Sequence, residues 1–331
     1  MSTHIGGTVT KLSLVLLMGC SSEKPQFQKA REPAADAGTL DSGSGRSDAA
    51  TLPTQVAPDA AEPQTPCNTS AIYCSMRYDE LCQAATRDSA ANTAVSWRNP
   101  SQARAILTQL QQSIRVLMLE VKDYQGVVSV CRSDCTTGNT PLGGVLETVK
   151  DFLTSNPSEV VTLLIDTGLS AATIQAEFVK AGLDSMAWPQ PDAAAWPTLK
   201  TMIDSGERLV VFANTPDRDA AWLLPRQNHI WETGSHWVSV SEMNCAPAIG
   251  DASRPLYLVH QNLVSLGDAG QSGQPNSALA SQANDWQTAT ARLQACGAQW
   301  KRVPNFLAVD FFDEGDPLGA TQVLNGVRAA P

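Results

Sequence analysis

Charged and polar residues recur where apolar segments of this chain end: Arg87 with Asp88, Glu120 with Lys122, Asp166, Asn214, Glu232, His260 with Asn262, and Asp310 with Asp313. Arg132, set between Cys131 and Cys135, adds another cation. Carboxylates and imidazole suit general acid–base work, and lysine and arginine suit the binding of an anion. Singly, each residue reads as a solvated loop charge. Core packing does not call for polar groups at every such place, so their recurrence points to one shared rim. Asp166, Glu232 and His260 are its candidate substrate-binding groups.

The elements that would position them centre on Ile114–Cys135, IRVLMLEVKDYQGVVSVCRSDC, whose apolar run from Ile114 to Val121 suits a strand covered on both faces. Further strands are expected at Glu80–Thr86, Val160–Asp166, Arg208–Ala213, His229–Trp231, Pro255–Val259 and Phe306–Phe311. A short one is expected at Val127–Val130. Helical spacing marks Ser101–Ser113, Leu142–Thr154, Ala171–Ala181, Trp196–Asp204, Ser277–Cys296 and Pro317–Val327. Alternation of this kind predicts an α/β fold, a closed barrel of parallel strands with helical crossovers, although no segment stands out as an eighth strand. Barrel enzymes act at the rim where the strands end.

The formal net charge of −10 over 331 residues argues against a nucleic-acid partner, which needs a basic face, and leaves room for a local anion site. Residues 1–20 read as a signal peptide: Lys11, an apolar stretch from Leu12 to Met18, and Leu17-Met18-Gly19-Cys20, similar to a bacterial lipobox. Lipidated Cys20 would anchor the chain to a membrane. Residues 21–66, rich in Ala, Pro, Asp, Ser and Thr, read as a disordered tether, and 67–331 as one folded domain. With no spare apolar helix face, a monomer is expected.

Seven cysteines remain beyond Cys20, and an exported chain should oxidise them. The expected pairs are Cys67–Cys74, Cys131–Cys135 and Cys245–Cys296, leaving Cys82 free. No CxxC occurs and no histidine lies near Cys131, so no metal or other cofactor is expected.

Several segments together resemble the phosphatidylinositol-specific phospholipase C X-domain family: MRYDELCQAATRDS, IRVLMLEVKDYQG, VCRSDC, FLTSNPSEVVTLLID, RLVVFANT, WET and PNFLAVDFFDEGD. The resemblance spans Cys67 to near the C-terminus. It implies a distorted TIM-type (β/α) barrel and hydrolysis of a phosphodiester whose alcohol is often a lipid, so a phosphoester or phospholipid head group is the expected partner. It also implies a histidine at the position of Arg87, to take a proton from the attacking hydroxyl. A second histidine, at Arg132, would protonate the leaving alcohol. Lys122 falls on the family's phosphorane-stabilising arginine, Glu120 on its acidic partner, and Asp88 and Asp310 on the carboxylates that support the histidines.

Guanidinium stays protonated at physiological pH and has no acceptor atom, so Arg87 and Arg132 cannot carry out those proton transfers. Each lost group is worth about 10²- to 10⁴-fold in rate. An impaired phosphodiesterase that binds an anion through Arg87, Lys122 and Arg132 is therefore expected. Alternatively, Arg87 and Arg132 pair with Asp88 and Asp134. An active site built on His260 or on carboxylates, and a glycoside hydrolase using two of Glu120, Asp166, Glu232 and Asp310, are the other readings. No G-x-S-x-G signature occurs, and Gly267, Gly270 and Gly273 lie in a loop unsuited to cradling phosphate.

Overall fold

In a computed structural model, residues 65–331 are described, apart from Ser96, Asp192, 216–219, His236 and 266–272. The signal-peptide and lipidation reading of 1–20, with Cys20, and nearly all of the tether lie outside the described residues, as do His236, Gly267 and Gly270.

The strands are β1 (Gln83–Thr86), β2 (Val116–Tyr124), β3 (Val127–Cys131), β4 (Asn139–Pro141), β5 (Val161–Thr167), β6 (Leu209–Ala213), β7 (Leu223–Pro225), β8 (Ile230–Thr233), β9 (Pro247–Ile249), β10 (Leu256–His260) and β11 (Phe306–Val309). The helices are α1 (Ile106–Gln111), α2 (Leu142–Ser155), α3 (Ala171–Ala181), α4 (Leu199–Ser205), α5 (Arg226–His229), α6 (Ser277–Ala283), α7 (Trp286–Trp300) and α8 (Pro317–Leu324). One sheet runs in the order β7-β6-β5-β2-β1-β11-β10-β8-β9, and the ladders from β7 through to β8 are all parallel. Those eight strands follow one another around the sheet in chain order, as in a TIM-type barrel. The circle is left open between β7 and β8: no ladder joins them among the described residues, and the single turn of α5 connects them.

All seven expected barrel strands form, with ends shifted by a few residues, the short strand expected at Val127–Val130 is β3, and the eighth strand of the barrel is β7. At three residues ending in proline, β7 is too short to carry a period of its own. The long helix expected over Ser277–Cys296 is instead α6 and α7, separated at Asn284, with the Asp285 side chain accepting from the Thr288 N–H to start α7.

Two cores follow from the pleat. Leu117, Leu119, Leu163, Ile165, Val211, Val259 and Val309 face outward and pack with Leu146, Val149 and Phe178 of the helices. The alternate residues Ala85, Val116, Leu164, Phe212, Ile230, Leu258 and Ala308 point inward and fill the barrel. On α2 the buried set Leu142, Val145, Leu146, Val149, Phe152 and Leu153 repeats every three or four residues, which seats one face of the helix on the sheet. Ser170 caps α3 by accepting from the Thr173 N–H, a contact worth about 1 kcal/mol. All three expected disulfides are present, and Cys82 is free and buried in the core.

Candidate functional site

One step of two residues beyond the last inward apolar side chain brings each strand to a polar residue. Ala85 leads to Arg87, Met118 to Glu120, Leu164 to Asp166, Phe212 to Asn214, Leu224 to Arg226, Ile230 to Glu232, Leu258 to His260 and Ala308 to Asp310. The same alternation that fills the barrel therefore crowns it with charge at the C-terminal ends of its strands. A cleft of about 330 Å³ opens there, lined among others by Arg87, Asp88, Glu120, Asp166, Asn214, Glu232 and His260. Arg226, Gln227 and Arg254 complete its polar wall on the side of the open seam.

Backbone bonds hold the turn that carries Arg87. Its N–H donates to the Val309 carbonyl at 2.9 Å, and the Gln102 amide donates to its carbonyl at 2.9 Å. Ser89 bonds across to Met118 of β2. Asp88 adopts a left-handed backbone (φ +42°), which aspartate tolerates better than most residues and which turns the chain sharply at the rim.

A chain of five side chains crosses the mouth. Arg87 Nε donates to Asp310 Oδ1 at 3.2 Å, and Arg87 Nη1 meets His260 Nδ1 at 2.8 Å. His260 Nε2 meets Glu232 Oε2 at 2.9 Å, and Arg226 Nη2 pairs with Glu232 Oε1 at 2.7 Å. Guanidinium can only donate, so Nδ1 of His260 must accept and its proton sits on Nε2, facing the carboxylate. His260 is thus neutral, consistent with burial and the charges of Arg87 and Arg226 pushing its pKa down to about 4 against the pull of Glu232. Burial alone would raise Glu232, but Arg226 and His260 outweigh it and hold the carboxyl at about 2. Asp310 goes the other way: burial, with help from Asp88, lifts it to about 6 despite Arg87, and its Oδ2 is buried without a partner.

The remaining two cations expected to face a common ligand do something else. Lys122 pairs with Glu120 at 2.7 Å and donates to the Ser133 carbonyl, while the Ser133 N–H donates to Glu120 Oε2 at 2.7 Å. Arg132 pairs with Asp88 at 3.0 Å and donates to the Asn99 carbonyl and to Gln274 Oε1, each at 3.1 Å. Neither Lys122 nor Arg132 lines the cleft; each neutralises a carboxylate that does. The Cys131–Cys135 disulfide clamps the loop that bears Arg132 and Ser133. The pairing expected of Arg87 with Asp88 and of Arg132 with Asp134 is not the one formed. Arg87 takes Asp310, Arg132 takes Asp88, and Asp134 turns to Thr136.

Asp166 is exposed in the cleft and accepts from Asn214 Nδ2 at 2.6 Å. Asp313 pairs with Arg104, Asn262 donates to the Ser235 carbonyl, and His229 packs against Trp196 and Phe212 away from the cleft lining. Arg226 and Arg254 escaped the sequence reading. Arg226 ends the apolar run 220–225, two residues past inward Leu224, but that run holds a strand too short to show a period, and Arg254 ends no apolar segment. They lie on the seam turn and on the loop after β9, which carry no periodicity. Chemically, the cleft offers guanidinium groups for an anion beside carboxylates that can accept hydroxyls. Its one lining histidine among the described residues already has its lone pair engaged.

Comparison with known proteins accords with this architecture. The PI-PLC X 1 family pattern matches residues 73–325. A PI-PLC X domain-containing protein of Arthroderma benhamiae is 30% identical over 280 residues, which cover 79% of this chain and 90% of that protein. A secreted protein of the same fungus is 29% identical over 77% of this chain, and an Arabidopsis thaliana PI-PLC X domain-containing protein is 26% identical over 68%. The matched regions span only 62% and 54% of the length of those two relatives. Among solved structures, a variant of phosphatidylinositol-specific phospholipase C from Staphylococcus aureus aligns with a TM-score of 0.52 at 14% identity, covering 76% of this chain and 94% of that one. The enzyme from Listeria monocytogenes aligns at 0.51 and 17%, covering 77% and 95%. At such identities the structures speak to the fold, a TIM-type barrel. With the family pattern covering the greater part of its length, this chain belongs to the PI-PLC X family.

Proposed function

We propose that this protein binds a phosphoester, such as a phospholipid head group, in the cleft at the barrel mouth, and that its capacity to hydrolyse the ester by imidazole acid–base chemistry is strongly reduced. The observation that carries the reading is the side chain at the end of β1. Arg87 is a permanently charged donor, ion-paired to Asp310 and occupying the lone pair of His260. A base must have a free lone pair within reach of the proton it takes, and here the imidazole's is spent on a guanidinium. Asp88, Glu120, Lys122, Arg132 and Asp310 act in this reading as the support that holds the cleft's charge in place. Asp166, Glu232 and His260 contribute to ligand binding directly or through Arg87 and Arg226.

The test compares the full chain with the Arg87→His/Arg132→His double variant on phosphatidylinositol vesicles and on a soluble inositol phosphodiester. Turnover should be near background in the parent and should rise by about 10²-fold or more in the variant. Parent turnover equal to that of an intact family enzyme would overturn the proposal.

A second reading, hydrolysis through a non-standard site, draws support from Asp310, whose carboxyl at about 6 titrates closer to neutrality than an ordinary aspartate. Asp310 does not line the cleft, which ranks this reading second. A glycoside hydrolase that used Glu232 as its acid is disfavoured, since a general acid needs a raised pKa and that group lies near 2. Three disulfides, together with a relative named as secreted, support export of the protein. We further propose that Cys20 carries the lipid that tethers it to the membrane. Processing would be seen as a mass shift lost in a Cys20→Ser variant.

A further inference from the structure

The charges at the barrel mouth can be matched one against another. Arg87 is held by Asp310, Arg132 by Asp88, Lys122 by Glu120 and Arg226 by Glu232. Among the described residues, Arg254 is the cation of the cleft wall that enters no ion pair; neighbouring Asp251 feels its charge but turns its carboxylate to the Ser253 N–H.

The three guanidiniums that line the cleft also differ in what they have left to give. Arg87 has Nε on Asp310 and Nη1 on His260, so one nitrogen remains. Arg226 has Nη2 on Glu232, and its buried Nε has no acceptor. Arg254 spends Nη1 alone, donating to the Ile230 carbonyl at 2.7 Å, and its Nε and Nη2 carry no hydrogen bond among the described residues. Those two nitrogens form one planar edge, the fork that receives two oxygens of a phosphate.

The Nη1 bond to Ile230 anchors the guanidinium, and the turn around it accommodates the side chain. Gly250 has a left-handed backbone (φ +70°), and a Cβ there would collide with the Arg254 guanidinium, so the turn after β9 leaves room for this side chain. Arg302 donates to the carbonyls of Ala252 and Arg254, which fixes the backbone on either side.

We propose that Arg254 is the phosphate-recognising residue of the cleft, taking two non-bridging oxygens of the phosphoester on its Nε–Nη2 edge. The ligand's phosphate then lies at the open seam beside β8, and the ion-paired Arg87 is left undisturbed. This rests on the reading of the cleft as a phosphoester site and assigns the contact within it.

The experiment is calorimetric titration of the full chain with inositol 1-phosphate, inorganic phosphate and myo-inositol. Arg254→Gln should weaken inositol 1-phosphate and phosphate by about 10- to 100-fold, the worth of a charged hydrogen-bonded contact. Binding of myo-inositol should stay as in the parent. Arg254→Lys, which keeps the charge and loses the fork, should fall between the two. Arg104→Gln, which removes an exposed partner of Asp313, should leave all three unchanged. If Arg254→Gln binds both phosphates like the parent, this assignment is wrong while the phosphoester reading stands. If the parent itself binds neither, both fall. Should Arg254→Gln lose its circular dichroism signal, Arg254→Lys decides: affinity equal to the parent's rules out the fork.

Discussion

Replacing Glu232 with glutamine tests whether the chain of side chains across the mouth is a true charge network. Glu232 is 2% exposed and accepts from Arg226 at 2.7 Å and from His260 at 2.9 Å. Its carboxyl falls from the ordinary 4.5 to about 2. At about 1.4 kcal/mol per pH unit, that drop corresponds to roughly 3 kcal/mol of stability, in line with the cost of breaking a buried pair. The sign follows from the depression: the contribution is complete above pH 4.5 and is lost as the pH falls through about 2. Glu232→Gln removes the charge and leaves the Arg226 guanidinium facing an amide. At pH 7 the melting temperature, followed by circular dichroism, should fall by about 6 to 12 °C for a domain of this size. The gap between variant and parent should close progressively below pH 4.5. A variant melting within about 1 °C of the parent at pH 7, or a deficit that ignores pH, would refute the network as drawn.

Glutamine at position 260 should be tolerated better, because its carbonyl can accept from Arg87 and its amide can donate to Glu232 as the imidazole does. His260 falls from 6.5 to about 4 in the fold, so the parent should lose stability as the pH drops through that interval, and His260→Gln should show a flatter profile in the same melts. Among the disulfides, Cys245–Cys296 closes a loop with a sequence separation of 51 and Cys131–Cys135 one of 4. Chain entropy then assigns about 4 kcal/mol to the first and about 2 to the second. Paired Cys→Ser variants should separate by that difference in urea unfolding, and equal losses would count against it. Cys131→Ser/Cys135→Ser should also loosen Arg132, read as a weaker dependence of stability on an Asp88→Asn change than in the parent.

Much of the barrel was legible because its signals are local. A pleated strand alternates faces with a period of two, so Ile114–Val121 and Phe306–Phe311 announce themselves wherever the rest of the chain goes. The same period accounts for Arg87, Glu120, Asp166, Glu232, His260 and Asp310 meeting at one mouth, since each stands two residues past an inward apolar neighbour. Cysteine pairing was readable from spacing and from an expected oxidising compartment. By contrast, β7 and the division of α6 from α7 left too short a trace for any period to show.

By itself, then, the amino-acid order determined which residues line the strands and that their ends would be polar, since pleat and helix repeat act between near neighbours. Only the tertiary structure decided which cation meets which carboxylate. Arg87 finds His260 across 173 residues and Asp310 across 223, and no local rule spans such distances. Two of the arginines that face the cleft, Arg226 and Arg254, come from the seam and from a loop beside it. Arg226 follows inward Leu224 by the same two-residue step, hidden only by the shortness of β7, whereas Arg254 comes from a loop whose place at the seam is a property of the assembled sheet that no single segment of the chain contains.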